Sequence, residues 1–246
     1  MNSQIIIVCA ETDRDSASQT GLPILRFGLG LTSNGTPIRT IAQNSILGDI
    51  LCISDFGISQ QIPDEIIRQL TEEASDTGGI FADFERAVPQ LDSFLSALDQ
   101  TCAAADIPLF VPYKRCPPNA YAVVPGAASG GSLREELERG MMLRNGRIAV
   151  SFGPIRKRFY LPASDPEGED LTEAELSAAQ AKTGAHPFFS RELCANYFTY
   201  MEKNTGVFIL YDTDDTLRLR LRLIQEIGVP YIFMEWNGCQ NLLIRS

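Results

Sequence analysis

The chain has 246 residues, 44% of them hydrophobic, and a formal net charge of -10. This length and composition suit a single soluble domain with a sizeable core. The negative charge argues against a nucleic-acid partner, and the lack of any apolar run of about 18 residues argues against a membrane span.

The N-terminal segment and the cysteines indicate the compartment. MNSQIIIVCAETD lacks a positively charged start, and its apolar run ends at Glu11, so no signal peptide is evident. The six cysteines are scattered without a CxxC pair, which favours buried free thiols in a reducing compartment. The single histidine, His186, argues against a histidine metal site or a Ser-His triad. We therefore expect a cytoplasmic protein with no metal and no cofactor.

Apolar strand candidates alternate with helical patterns along the chain. The strand candidates are residues 5–11, 24–31, 50–57, 80–85, 109–113, 120–126, 147–153 and 231–236. Helical periodicity is found at 63–75, 88–105, 132–144 and 215–228. This alternation predicts parallel strands, and eight of them fit a (β/α)8 TIM barrel; a doubly wound open sheet is the alternative.

Two stretches interrupt the alternation. Residues 12–49 are rich in Ser, Thr, Gly and Asn, which indicates a hairpin and loops rather than a full helix. Residues 154–212 contain a basic strand, an acidic loop, a short helix (LTEAELSAAQAK), a second helix around RELCANYFTYMEK and the strand VFILYD. We expect one barrel domain over 1–246, irregular in its first units, with a small α+β insertion at 154–212.

Two carboxylates end the fourth strand candidate. In GGIFADFE, residues 78–85, strand alternation puts Phe81, Asp83 and Glu85 on one face. The Cα atoms of Asp83 and Glu85 should be about 6.5 to 7 Å apart. In a sheltered site two such acids do not both ionise easily, so one pKa should rise toward that of a general acid. A solvated strand end is the alternative.

The carboxyl ends of barrel strands carry the chemistry in this fold. Here these ends bear acids and aromatic rings: Glu11, Asp55, Glu85, Tyr113, Glu235 and Trp236. Carboxylates bind hydroxyls and transfer protons, and a flat ring contacts the apolar face of a pyranose, so this rim suits a sugar. Core packing is an open alternative for Trp236, the only tryptophan.

These residues resemble the chitinase-like glycoside hydrolases of family 18, especially the bacterial branch that cleaves spore peptidoglycan. The fourth strand of that family has the pattern Asp-Gly-x-Asp-x-Asp-x-Glu. Its last two acids match Asp83 and Glu85, whereas Gly78 and Phe81 replace the first two. RIAVSFGPIRKRF and the stretch that ends at Trp236 are similar to later family segments, and the resemblance covers about residues 45–240.

The resemblance implies a retaining, substrate-assisted hydrolysis of an N-acetylglucosamine-containing glycan, and a cytoplasmic or spore-associated protein. Glu85 would be the general acid, Asp83 would orient the N-acetyl group, and Trp236 would floor the sugar site. The family's Met-x-Tyr-Asp signature has no counterpart in the Val-Val-Pro-Gly of residues 123–126. A barrel without turnover that binds a glycan or a protein partner is therefore the second function class.

Residues 208–217, FILYDTDDTL, resemble the phosphatase motif of haloacid dehalogenases, with Asp212 as nucleophile and Asp214 as acid. In that fold the other catalytic motifs follow this one, but only 30 residues follow Thr216 here. We interpret Asp214, Asp215 and Thr216 instead as the capped start of a helix.

Overall fold

The computed structural model describes residues 3–31, 37–39, 48–55, 62–84, 89–128, 130–162, 165 and 167–243. The chain divides into two compact units. The first consists of Met1–Val124, Gly140–Ser151 and Val229–Trp236, and the second of Pro125–Arg139, Phe152–Gly228 and Asn237–Ser246.

The first unit is built on a mostly parallel sheet whose strands follow the apolar segments of the sequence. The strands are β1 (Gln4–Val8), β2 (Leu25–Leu31), β3 (Pro37–Arg39), β4 (Ile50–Asp55), β5 (Gly79–Asp83), β6 (Leu109–Pro112), β7 (Tyr121–Pro125), β8 (Ile148–Phe152) and β14 (Tyr231–Glu235). Their order in the sheet is β1-β14-β8-β7-β6-β5-β4-β2-β3.

The two ends of this sheet approach each other. β1 pairs in parallel with β14, and a parallel bridge joins Ile7 to Ile24, directly before β2. Within the described ranges, eight parallel strands therefore form a nearly closed barrel, and the predicted (β/α)8 fold is confirmed. The open doubly wound sheet is wrong. β3 lies outside the ring as the antiparallel partner of β2, in the segment where a hairpin is predicted.

Helices lie where the periodicity predicts them: α2 (Asp64–Ala74), α3 (Pro89–Ala104) and α4 (Leu133–Leu143), after a short α1 (Arg14–Ser18). Proline suits the first turn of α3 because its missing N–H has no helical partner there. The buried faces of α2 and α3 pack against the outer residues of β4 and β5 in one apolar cluster.

Strand alternation separates this outer core from the barrel interior. Ile80, Ala82 and Phe84 belong to the outer cluster, whereas Phe81 belongs to the interior one. The ring of Phe81 contacts that of Phe233 edge-on, with centroids 5.0 Å apart and planes at 81°. Phe110 contacts Phe233 in the same way at 5.0 Å. Such pairs contribute about 0.5–1.5 kcal/mol each beyond their burial, so aromatic contacts help to fill the interior.

The second unit contains a five-stranded antiparallel sheet of order β10-β9-β13-β12-β11. Its strands are β9 (Arg156–Leu161), β10 (Glu169–Asp170), β11 (Phe188–Ser190), β12 (Ala195–Glu202) and β13 (Thr205–Tyr211). Its helices are α5 (Glu173–Thr183), α6 (Asp214–Ile227) and α7 (Gln240–Leu243). Leu176 and Ala179 of α5 pack with Phe198 and Ile209 on one face of the sheet.

The predicted second helix around RELCANYFTYMEK is wrong, because this segment forms β12. Its Tyr, Phe and Thr residues favour strands, and β12 pairs with a neighbour on each side. Lys203 and Asn204 have φ of 45° and 66°, as the two central residues of a tight hairpin turn require. The strand pairing outweighs the helical spacing of the apolar residues.

Two glycine substitutions should have opposite effects on stability. Gly79 has φ +138°, and a Cβ there would lie 2.5 Å from the carbonyl oxygen of Pro108, so Gly79→Ala should lower the free energy of unfolding by about 1–3 kcal/mol. In α4, a Cβ on Gly140 would make an ordinary 3.7 Å contact with Ile148, so Gly140→Ala should raise it by about 0.5–1 kcal/mol. Urea unfolding measures both; a stable Gly79→Ala protein would contradict the prediction.

Candidate functional site

Asp83 is the last residue of β5 and, by strand alternation, shares the interior face with Phe81. It lies in register with Ser54 of β4. Burial and, second, the charge of Asp83 raise the pKa of the interior thiol Cys52, so the carboxylate lies close to the barrel interior. Asp83 thus lies at the carboxyl end of a strand, where the catalytic groups of barrels are found, and is the next interior-face residue after Phe81.

Glu85 lies outside the described residues, and its role as general acid stays a prediction. The backbone that leads to it is described as far as Phe84, which is fully buried in the outer cluster and contacts the ring of Phe94 at 6.0 Å. β5 itself ends at Asp83, and the backbone N–H of Phe84 donates to the carbonyl oxygen of Ala82 at 3.0 Å, so the chain turns directly before Glu85.

The two other strand-end acids lie on different faces. Glu235 ends β14 and alternates with Tyr231 and Phe233, so it lies on the interior face, in register with Val8. Asp55 ends β4 but alternates with Leu51 and Ile53 of the outer cluster. Strand alternation thus places Glu235, but not Asp55, on the same face as Asp83.

The remaining predicted residues differ in exposure. Glu11 lies in a 3-10 helix after β1, and its exposed side chain forms an ion pair at 3.5 Å with Arg14, whose side chain is only 17% exposed. Tyr113 follows β6 and is 49% exposed. Trp236 follows β14, donates its backbone N–H to the oxygen of Val8 at 2.8 Å and is only 5% exposed. Little of the Trp236 ring is therefore open to stack on a sugar in this structure.

Sequence analysis missed Ser54 and Cys52, which alternation places on the interior face beside Asp83. The signal was available, because Ile50, Cys52 and Ser54 occupy every second position of β4. Ser54 places a hydroxyl next to Asp83 in the register of the sheet.

The structure gives physical reasons why this chain lacks two acids of the family pattern. A Cβ on Gly78 would collide with the carbonyl oxygen of Gly48, so an aspartate does not fit there without a backbone shift. Phe81 makes an edge-on ring contact with Phe233, and a carboxylate at this position could not make that contact. Both replacements suit the packing of this barrel.

The described residues contain no cluster of three or more His, Cys, Asp or Glu side chains that could hold a metal ion. None of the described helices combines the length and apolar character needed to cross a membrane.

The phosphatase-like Asp212 belongs to a buried ion pair in the second unit. Arg220 of α6 is fully buried and donates to Asp212 at 2.7 Å, to the carbonyl oxygen of Gly126 at 3.1 Å and to that of Gly153. Thr216 also donates to Asp212. Burial raises the pKa of the Asp212 carboxyl, and the Arg220 guanidinium opposes that rise. Both oxygens of Asp212 are occupied, which explains this acid without catalysis.

The fold is similar to those of chitinases and spore cortex-lytic enzymes. The chitinase of Chromobacterium violaceum ATCC 12472 superposes with a TM-score of 0.62 at 12% identity, over 94% of each chain. The spore cortex-lytic enzyme SleL of Bacillus megaterium QM B1551 covers 99% of this chain and 73% of its own, with a TM-score of 0.59 and 12% identity.

A mutant class V chitinase of Nicotiana tobaccum, solved in complex with NAG4, has a TM-score of 0.57 at 9% identity, over 95% of this chain and 93% of its own. No family model and no curated protein sequence matches the chain. At these identities the likeness shows the fold alone.

Asp212→Asn should lower the free energy of unfolding by about 3–5 kcal/mol, because it leaves the buried Arg220 guanidinium without its counter-charge. Asp214→Asn is the matched control. The Asp214 side chain is 52% exposed and lies 3.8 Å from Arg218, so its loss should cost less than about 1 kcal/mol. Urea unfolding compares the two. Equal, small effects would show that the buried pair does not support the fold.

Proposed function

We propose that this protein is a glycoside hydrolase of the family 18 type that acts on N-acetylglucosamine-containing glycans of the chitin or peptidoglycan kind. The observation that carries the proposal is the position of Asp83, at the carboxyl end of β5 on the interior face and two residues before Glu85. The similarity of the fold to chitinases and spore cortex-lytic enzymes supports it.

The proposed reaction is substrate-assisted and retains the anomeric configuration. Glu85 donates its proton to the glycosidic oxygen while the acetamido oxygen of the substrate attacks the anomeric carbon, so the glycosidic bond breaks and a cyclic intermediate forms. The Asp83 carboxylate accepts the acetamido N–H and stabilises the positive charge of this intermediate. The Glu85 carboxylate then takes a proton from water, which opens the ring at the anomeric carbon and restores the acid.

The second candidate is a barrel that binds a glycan without hydrolysing it. It is favoured by the residues that replace family groups along two strands. Phe81 on β5 and Gly78 directly before it supply no further acid, and the carboxyl end of β7 carries Pro125 in place of a tyrosine. A site with fewer charged groups retains shape and hydrogen bonding for a sugar but stabilises the transition state less.

Glu85→Gln should lower the hydrolysis rate of N-acetylglucosamine oligomers about 10²- to 10⁴-fold and leave their binding nearly unchanged, because the amide keeps the size but not the transferable proton. Asp83→Asn should also lower kcat. The measurement is release of reducing ends from chitooligosaccharides and from muropeptide glycans, with calorimetric binding in parallel.

Glu73→Gln, an isosteric change at the end of α2 and away from the carboxyl ends of the strands, is the control and should keep full activity. If the unmodified protein binds a glycan, releases no reducing ends and matches Glu85→Gln in every assay, the hydrolase proposal is wrong and glycan binding without turnover replaces it.

Two Trp236 variants should separate packing from sugar binding. Since the residue is 5% exposed, Trp236→Ala should lower the free energy of unfolding by about 3–5 kcal/mol. Trp236→Phe keeps a ring in the core and should fold, but should weaken oligosaccharide binding by about 1 kcal/mol if the indole floors the site. Thermal unfolding and calorimetric titration measure these effects. Unchanged binding by Trp236→Phe would assign Trp236 to the core alone.

A further inference from the structure

The ring contact between Phe81 and Phe233 crosses the barrel. In the order of the sheet, β8, β7 and β6 separate β14 from β5 on one side, and β1, β2 and β4 separate them on the other. β5 and β14 are therefore opposite strands of the ring. The two ring centroids are nevertheless only 5.0 Å apart, because the interior of an eight-stranded barrel is just wide enough for its side chains to fill.

The next interior-face residues of these two strands are Asp83 and Glu235. Each lies two positions after the phenylalanine of its own strand, and each is the last residue of that strand. In barrels of this type alternate strands contribute the side chains of one layer, and β5 and β14 are the fourth and eighth strands of the ring. Asp83 and Glu235 therefore face each other across the mouth, the open end of the barrel at the carboxyl ends of its strands.

The neighbouring strands support this placement of Glu235. The residue is in register with Val8, whose side chain packs against the interior cluster. Trp236 follows Glu235, donates its backbone N–H to the oxygen of Val8 and is only 5% exposed. Glu235 itself is exposed. The side chain that β14 presents at the mouth is therefore the carboxylate of Glu235, with the rings of Phe81 and Phe233 one layer below it.

A pyranose between two opposed carboxylates can donate a hydrogen bond from each of its edges. In the proposed reaction Asp83 accepts the acetamido N–H, which is bonded to carbon 2 of the sugar. Carbon 5 lies across the sugar ring from carbon 2 and carries the hydroxymethyl group. Because Glu235 is opposite Asp83, its carboxylate is placed to accept the hydrogen bond of the 6-hydroxyl.

Two other roles of Glu235 fit the site less well. Core packing does not account for an exposed carboxylate at the end of a strand. A second catalytic carboxylate is not needed in a substrate-assisted reaction, because the acetamido oxygen of the substrate attacks the anomeric carbon. Recognition of the sugar uses both the position and the acceptor oxygens of Glu235.

We propose that Glu235 determines specificity by binding the 6-hydroxyl of the N-acetylglucosamine unit that Asp83 holds. The inference rests on the proposed hydrolase function and adds to it the direction of the sugar, which extends across the mouth from β5 to β14. It also narrows the substrate class. Units with a free 6-hydroxyl make this contact, whereas units that are acylated at this position lack the donor and are poor substrates.

The test measures how strongly each protein distinguishes two substrates. One is the 4-methylumbelliferyl glycoside of diacetylchitobiose, and the other lacks the 6-hydroxyl on the sugar bonded to the fluorophore. In the unmodified protein kcat/KM should be about tenfold or more lower for the deoxy substrate, since a hydrogen bond to a charged group is lost. Glu235→Ala should hydrolyse both substrates equally, and Glu235→Gln, which keeps a neutral acceptor, should give an intermediate ratio.

Glu72→Ala is the matched control, because it removes an exposed glutamate of α2, outside the barrel strands, and should keep the ratio of the unmodified protein. A general loss of stability lowers both rates together and leaves the ratio unchanged. An unchanged ratio in Glu235→Ala, or equal hydrolysis of both substrates by the unmodified protein, would overturn the inference and leave the hydrolase proposal standing.

Two further outcomes are distinguishable. If Glu235→Ala keeps its circular dichroism spectrum but loses about 10²-fold or more in kcat on both substrates, Glu235 is a catalytic acid and the specificity role is wrong. If the unmodified protein hydrolyses neither substrate, the hydrolase proposal fails, and the same glycosides are titrated by calorimetry. Weaker binding of the deoxy glycoside, abolished as a difference in Glu235→Ala, would then support sugar recognition by Glu235; equal affinities or no binding would overturn it.

Discussion

The alternation of side chains along the strands of a nearly closed barrel determines where polar groups of the first unit can lie. Between the strand ends, the interior is filled by an apolar cluster in which the rings of Phe81 and Phe110 each contact that of Phe233 nearly at right angles. A carboxylate within that cluster would lose its hydration without gaining donors. Charged groups on the interior face therefore occur at the strand ends, with Asp83 and Glu235 at the carboxyl ends.

The same packing explains how this barrel departs from the pattern that its fourth strand resembles. Phe81 gives the interior an additional aromatic contact and leaves Asp83 without a neighbouring acid on its own strand before Glu85. In the proposed reaction Asp83 must then be tuned by groups of adjacent strands, and Ser54 is in register to take part. The interior face of β5 thus carries both a residue for core packing, Phe81, and a residue for the proposed chemistry, Asp83.

Asp212 shows why a short motif has no fixed meaning. Asp-x-Asp-x-Thr suits a phosphatase when its first acid faces a substrate, but here that acid pairs with Arg220, eight residues later in the chain. The guanidinium also binds the carbonyl oxygens of Gly126 and Gly153, so one buried charge pair joins four separate points of the chain. In this chain the motif residues therefore have a structural role, which depends on contacts with residues outside the motif.

The barrel strands, most helices and the interior face of β5 could be predicted from the sequence, because period-two and helical patterns are local properties of the chain. The helix predicted from the sequence at β12 is wrong, since the spacing of aromatic residues does not reveal that this segment has a strand partner on each side. The burial of Trp236 and the ring contact between Phe81 and Phe233 were visible only in the folded chain. Each of these depends on which distant segments approach a residue, and local periodicity does not specify that.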